Sequence, residues 1–449
     1  MACGTLVWCA ARRSHNCGVR SCETSRQYWS PSTFIRAEGQ RVKALEDAQA
    51  YVIAAIQPLG TSEVPLAESL GRVVAQPVVV REPMPPFDNS AMDGYAVLAA
   101  DVTQVPVRLT VLEDVAAGSV PTEPIVVGTA TRIMTGAPMP RGADAVVRVE
   151  DTSSPSRDEV VVASSVRRGD NVRLAGGDMK PGDVIVVPGT RLTSRHLATL
   201  ASAGIDPVVS DLPTVAVMST GDEIVDPSTP VLKLGTIRDS NRVMLMSMLN
   251  ELGVPVLDLG IIGDDPRELR SAYETAADGA DVIVSTGGVS MGDSDYVKQI
   301  LSDLGGIEFW KVAMQPGKPF AFGAVNGVPL FGLPGNPVST FVSFEQFVRP
   351  ALLTMMGARY VMRTHIEGTM GEDVTTSSDR RVFLRVYIEM DDQGSFIARR
   401  SGGQGSNMHL SLSRADAFAV IPVGVGSLSA GDHVTLEMFR WPEGRGFND

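Results

Sequence analysis

The sequence predicts a multidomain α/β-plus-β protein, a central parallel α/β layer flanked by two regions of short strands. Three observations predict it. A chain of 449 residues is too long for one compact core. Between residues 213 and 358, apolar strand-like runs alternate with amphipathic helical runs, the pattern of a parallel sheet with right-handed crossovers. Before and after that stretch, short alternating runs are broken by Gly and Pro, the pattern of small β structures.

The first 37 residues hold five arginines against the single acid Glu23 and show no sustained periodicity, so they read as an extension outside the fold. From 42 to 56 the apolar positions Leu45, Ala48, Val52, Ile53 and Ile56 recur at helical spacing. A β-branched run follows at 73–80. Short strands such as 107–111 and 145–149 then predict a β-rich region to about residue 162. A turn, strand and turn over 180–190 lead to a helix at 194–203.

Strands at 215–218, 256–259, 282–285 and 330–332 are followed by helices at 241–252 (after the first), 266–277, 295–304 and 338–356. Asp265, Pro266 and Glu268 mark one helix start, with Asp as N-cap, Pro at N1 and Glu at N3. Runs at 382–388, 396–399, 418–422 and 433–438 predict a C-terminal β-barrel or sandwich.

Composition narrows the function. The formal net charge of −13 disfavours a phosphate-backbone ligand, although a local cationic pocket can still hold a small anion. All four cysteines lie in the first 22 residues, which excludes a disulfide framework across the fold, and their spacing lacks a structural zinc pattern. No apolar run reaches the ~18 residues of a membrane span. Only five histidines occur, with no His-x-x-x-His or Gly-x-Ser-x-Gly, so a zinc-hydrolase or histidine-centred mechanism has little to work with.

Ligands of open α/β sheets bind beyond the carboxyl ends of the strands. The loops at those ends are 219–223, 263–265, 285–295 and 333–337, and each combines Gly or Pro with a carboxylate or polar side chain. In Thr286-Gly-Gly-Val-Ser-Met-Gly292, glycine lets backbone N–H groups converge on an anion. Asp293 and Asp295 stand just behind it. Carboxylates beside a phosphate loop imply an intervening cation, since Mg²⁺ is commonly held by one or two carboxylates plus ligand phosphate. Asp264 is free to face the same edge because Asp265 serves as the cap. Lys311 and Lys318 flank a Pro-Gly turn that would aim both at a dianion.

Seven ordered strings carry a specific resemblance: Pro86-Phe-Asp-Asn-Ser-Ala-Met-Asp-Gly-Tyr-Ala96, Arg132-Ile-Met-Thr-Gly-Ala137, Ser219-Thr-Gly-Asp-Glu223, Ser285-Thr-Gly-Gly-Val-Ser290, Gly292-Asp-Ser-Asp-Tyr296, Pro316-Gly-Lys-Pro319 and Gly332-Leu-Pro-Gly-Asn-Pro-Val-Ser339. From about Arg41 onward the chain resembles the molybdopterin molybdenumtransferases, the family of MoeA and the gephyrin E domain. The resemblance implies a molybdopterin-binding-like α/β domain (213–358), a discontinuous linking domain (38–80 and 172–212), a β-rich domain (81–171) and a C-terminal β-barrel domain (359–449). It also implies a cytoplasmic homodimer with a shared site, open to other cofactor-synthesis proteins and binding neither nucleic acid nor membrane.

The implied reaction is insertion of molybdate into adenylylated molybdopterin with Mg²⁺-dependent release of AMP. By motif, Asp295, Asp264 and Glu223 resemble the acids that handle metal and pyrophosphate, with Asp93 approaching from the β-rich domain of the partner subunit. Thr135, Thr220, Gly221, Asp222, Gly287, Gly288, Ser290, Pro334, Asn336 and Pro337 resemble substrate-binding positions. Lys311, Lys318, Ser339, Arg381 and Ser406 resemble the molybdate set. One departure is Gln315, where many relatives carry lysine, which would leave the anion pocket one charge fewer. Two other readings are adenylyl transfer to molybdopterin, which needs only the α/β unit, and a gephyrin-type scaffold, which would ordinarily add partner domains and linkers.

Overall fold

The computed structural model describes residues 42–287 and 295–441. The extension expected at 1–37, the loop residues Gly288 and Ser290, and the side chain of Asp295 lie outside the described residues.

The centre of the molecule is a seven-stranded mixed sheet in the order Val42–Lys43, Gly305–Val312, Pro319–Val325, Val328–Leu333, Val282–Thr286, Val215–Thr220 and Val256–Ile262. The last four strands are mutually parallel, as the alternating pattern predicts. The other side of the sheet is not: Pro319–Val325 runs antiparallel to both of its neighbours. The reason is local. Asn326 and Gly327 adopt positive φ of 49° and 83° and close a two-residue turn between Val325 and Val328. Such a turn suits the right-handed twist of a hairpin, so the chain folds straight back instead of crossing over.

Helices Asn241–Leu252, Pro266–Gly279 and Asp295–Leu304 form where their spacing places them. Asp265 caps the second of these by accepting from the N–H groups of Arg267 and Glu268. The helix expected over 338–356 is instead interrupted: Pro337–Ser343, a π turn at Phe344–Val348, then Arg349–Met355. Pro350 has no N–H for the carbonyl of Gln346, and that carbonyl accepts from Gln49 Nε2 at 3.2 Å. Helix Leu45–Ala55 buries Leu45, Ala48 and Val52 in the same core as Phe320, Phe322, Phe331 and Phe347.

A six-stranded sheet built from residues 94–162 makes the β-rich region. Two separated segments meet beside it: Thr61–Glu63 pairs with Val208–Ser210, Val78–Val79 pairs with Val184–Val186, and Val74, Val78, Val186, Leu192, Leu200 and Val209 form one small core. At the C-terminal end the strands Arg381–Met390, Phe396–Arg400, His365–Met370, His433–Met438 and Ala417–Ile421 pair in that order, and the last pairs back to the first. The ring is a closed five-stranded barrel, which leaves no open edge among those strands.

Candidate active site

A cavity of about 720 Å³ opens where the carboxyl ends of Val215–Thr220, Val282–Thr286 and Val328–Leu333 meet the barrel. Its wall includes Ser219, Thr220, Glu223, Thr286, Gly287, Gln315–Lys318, Pro334–Pro337, Ser339, Arg380 and Gln404–Asn407. The loops are pinned to each other by buried polar groups. Asn241 Nδ2 donates to Thr286 Oγ1 at 2.9 Å and to the Gly335 carbonyl at 2.7 Å. Both Thr286 Oγ1 and Thr340 Oγ1 donate to the Pro334 carbonyl, at 3.1 and 2.6 Å. Gly287 sits at φ +92°, and a Cβ there would come within 2.3 Å of the Thr220 carbonyl oxygen. Only glycine lets these two strand ends approach so closely.

One half of the cavity carries cations and hydroxyls. Lys318 lies exposed on the wall and, among the described residues, forms no ion pair. Ser339, at the start of Pro337–Ser343, is buried on the wall. Ser406 faces it from the barrel: Val338 N donates to the Ser406 carbonyl at 3.0 Å, and Asn336 Nδ2 donates to Ser406 Oγ at 3.0 Å. Arg380 completes this side, its guanidinium held by both carboxylate oxygens of Asp379 at 2.7 and 2.8 Å. Gln315 lines the same wall.

Two residues expected here are elsewhere. Arg381 turns away and pairs with Glu46 at 2.6 Å. Lys311 lies in Gly305–Val312 between Val42 and Pro319 and is not among the residues of the wall. The strand begins at Arg381, so Arg380 belongs to the preceding bend and takes a direction of its own.

Beside the cavity, next to Glu223, two acidic loops lie open to solvent; their Asp222 and Asp264 are not among the residues of the wall. Glu223 lies on the wall, its carboxylate beside Gly221, whose φ of +140° favours glycine. Asp222 and Asp264 hold their two loops together reciprocally: Asp222 N donates to Asp264 Oδ2 at 3.3 Å, and Asp264 N donates to Asp222 Oδ1 at 3.0 Å. Each carboxylate keeps lone pairs for a cation. Among the described residues no group of three or more acids, His or Cys is close enough to hold a metal. One or two carboxylates plus a ligand's phosphate is the usual complement for Mg²⁺, and the Asp222–Asp264 pair supplies that number. Asp295 opens its helix at the end of the glycine loop. Asp93 and Thr135 belong to the β-rich sheet region, away from the residues of this wall. The Asp93 carboxylate accepts from Thr135 N and Oγ1, both at 2.7 Å, and those bonds hold its pKa below the usual carboxylate value.

With this geometry in hand, similarity to known proteins becomes informative. Residues 43–204 match the MoeA N-terminal region (domain I and II), 216–354 a probable molybdopterin binding domain, and 367–439 the MoeA C-terminal region (domain IV). The molybdopterin molybdenumtransferase of Haemophilus influenzae is 36% identical over 385 residues, 85% of this chain and 95% of that protein. The chain belongs to the MoeA family. A second relative, molybdopterin molybdenumtransferase 2 of Mycobacterium tuberculosis, is 36% identical over 88% of this chain and 99% of its own length. The crystal structure of the molybdopterin biosynthesis MoeA protein from Pyrococcus horikoshii OT3 covers 89% of this chain with a TM-score of 0.76 at 29% identity.

Within this MoeA fold, several cavity residues escaped sequence reasoning. Arg380 lies in the bend before the strand, and nothing in the sequence separates it from its neighbour Arg381. Asn241 and Asp239 gave no signal, because a helix start with Asn or Asp reads as ordinary capping. Asp239 is buried and engaged by Ser219 Oγ and by Arg242 Nε, both at 2.9 Å.

Proposed function

We propose that this protein is a molybdopterin molybdenumtransferase, which inserts molybdate into adenylylated molybdopterin and releases AMP, working as a cytoplasmic homodimer with Mg²⁺. The observation that carries this reading is a cavity with cations and hydroxyls on its wall and the acids Glu223, Asp222 and Asp264 at its margin. Molybdate is a tetrahedral dianion and needs positive charge and donors; a diphosphate bridged by a divalent cation needs carboxylates. This chain sets the two side by side, with Glu223 on the wall and Asp222 and Asp264 next to it.

In this mechanism Lys318, Arg380, Ser339 and Ser406 bind and orient the oxyanion. Thr220 and the backbone at Gly287 face the pterin phosphate. Asp222, Asp264 and Glu223, with Asp295, would hold Mg²⁺, which when bound neutralises the phosphoanhydride and polarises its phosphorus. Glu223 is the exposed acid on the cavity wall, Asp239 being engaged by Ser219 and Arg242, and it accepts the proton of the water that attacks the anhydride. The loops pinned by Asn241 and Thr340 keep the two halves at fixed separation, so the oxyanion and the dithiolene meet without a search. Asp93, held ionised by Thr135, is contributed by the β-rich region of a second subunit. Gln315 leaves the oxyanion half with Lys318 and Arg380 as its cations.

The test is direct. The pure protein is incubated with adenylylated molybdopterin, Mg²⁺ and molybdate, and AMP and active cofactor are measured. AMP release that depends on molybdate is the expected result; release of AMP at the same rate without it would refute the assignment.

A further inference from the structure

The barrel strand that ends at the cavity carries a charge that the proposed mechanism leaves unused. Among the described residues Arg385 is the largest fully buried side chain, at 0% exposure. Among the described residues no carboxylate pairs with it, and burial alone pushes its guanidinium down to about 10. Its partners are neutral: Nε donates to Ser411 Oγ at 2.9 Å, and Nη2 donates to the carbonyls of Gly403 at 2.9 Å and Gly405 at 3.1 Å. Nη1 is buried with no hydrogen-bond partner. A buried, unpaired cation is costly, and such groups persist where something else uses the charge.

The residue also grips the same loop through its backbone. Arg385 N donates to Gln404 Oε1 at 2.9 Å, and Gln404 Nε2 donates back to the Arg385 carbonyl at 3.1 Å. Gln404, Gly405 and Ser406 form part of the cavity wall, whereas Arg385 lies behind it. In a trans peptide the C=O and N–H point in opposite directions. Turning the carbonyls of Gly403 and Gly405 back onto the guanidinium therefore turns the N–H groups of Gln404 and Ser406 away from it.

We propose that Arg385 is a positioning residue for the oxyanion: it fixes the Gln404–Ser406 wall with its N–H groups forward, and supplies from behind that wall a positive charge whose counter-ion is the bound molybdate. The inference rests on the molybdate reading of the cavity and deepens it.

The experiment uses the full chain and three variants: Arg385→Met, Arg385→Lys and Gln404→Ala. KM for molybdate and KM for adenylylated molybdopterin are measured separately. Molybdate and tungstate binding are also followed by calorimetry without any nucleotide. Arg385→Met is expected to weaken oxyanion binding and raise the molybdate KM by about tenfold or more, equivalent to about 1.4 kcal/mol, with the adenylate KM unchanged. Arg385→Lys restores part of the loss, because it keeps charge without the fork that holds two carbonyls. A folded Arg385→Met protein with wild-type oxyanion binding overturns the proposal, as does an equal rise in both KM values. If that variant does not fold, wild-type oxyanion binding by both Arg385→Lys and Gln404→Ala overturns it. Calorimetry separates the two readings: a wild type that binds molybdate but releases no AMP sinks the enzymatic assignment alone, and one that binds no oxyanion sinks this inference.

Discussion

The two halves of the cavity are built on opposite principles. The oxyanion half sets held hydroxyls and a buried charge beside the exposed Lys318: Ser339 is buried, Ser406 is clamped by the start of Pro337–Ser343, and Arg385 is sealed between the barrel's outer face and the 403–411 segment. The acidic side rests on exposed loops, where the Asp222 and Asp264 carboxylates each accept from the other's backbone N–H. The contrast has a physical cause. A weakly held dianion needs donors fixed in advance and sheltered from screening. Carboxylates destined for a metal repel one another until it arrives, and exposed loops tolerate that repulsion where a core would not.

That comparison can be broken most decisively on the acidic side. Asp264→Asn and Asp295→Asn should each lower molybdate-dependent AMP release by about 100-fold or more while leaving thermal unfolding unchanged. In the first variant the side-chain amide oxygen could still accept from Asp222 N–H, so only the charge is lost. Retention of activity in both would remove the acids from the mechanism.

On the oxyanion side the paired arginines sharpen it. Arg380→Ala is expected to raise the molybdate KM by about tenfold, whereas Arg381→Ala, which only frees Glu46, should leave it within experimental error. The opposite ranking would show that the barrel face has been assigned backwards.

A third change addresses the hinge between the halves. Asn241→Ala removes both donors that tie Thr286 to Gly335, and urea unfolding should show a loss of about 1–3 kcal/mol. Both KM values should rise together, since neither half is then fixed relative to the other.

The smallest effect lies outside the cavity. His365 Nε2 meets Glu437 Oε2 at 3.4 Å, and that hydrogen bond raises the imidazole above its ordinary value of 6.5. A raised pKa means that the folded state holds the proton more tightly. The resulting stability is fully present below pH 6.5 and is lost as pH rises through the folded value. His365→Gln should therefore unfold earlier than wild type at pH ~5.5 and equally at pH ~9, the difference staying small because the ring is half exposed.

Much of the fold was legible beforehand. Helices at 194–203, 241–252 and 295–304 match their predicted bounds, since Gly204 and Gly253 end two of them in the left-handed conformation that glycine favours. The antiparallel side of the sheet was missed because Asn326-Gly327 sits inside a long apolar run, where a buried strand and a hairpin look alike. The interruption at Phe344–Val348 was missed because Gln346 finds its partner in Gln49, far away in sequence.

At the site, the sequence by itself determined which residue types were present and in what order: glycine at the tight approaches, acids behind them, Lys318 after its Pro-Gly turn, and the motifs that place the chain in its family. Those properties are local, written in backbone freedom and in spacing. Only the tertiary structure decided which of two adjacent arginines faces the cavity, that Asn241 joins the two loops, and that Arg385 stands charged behind the wall. Each of these depends on contacts across many residues, and the Arg385 charge is buried only once the 403–411 segment has folded over the barrel's outer face.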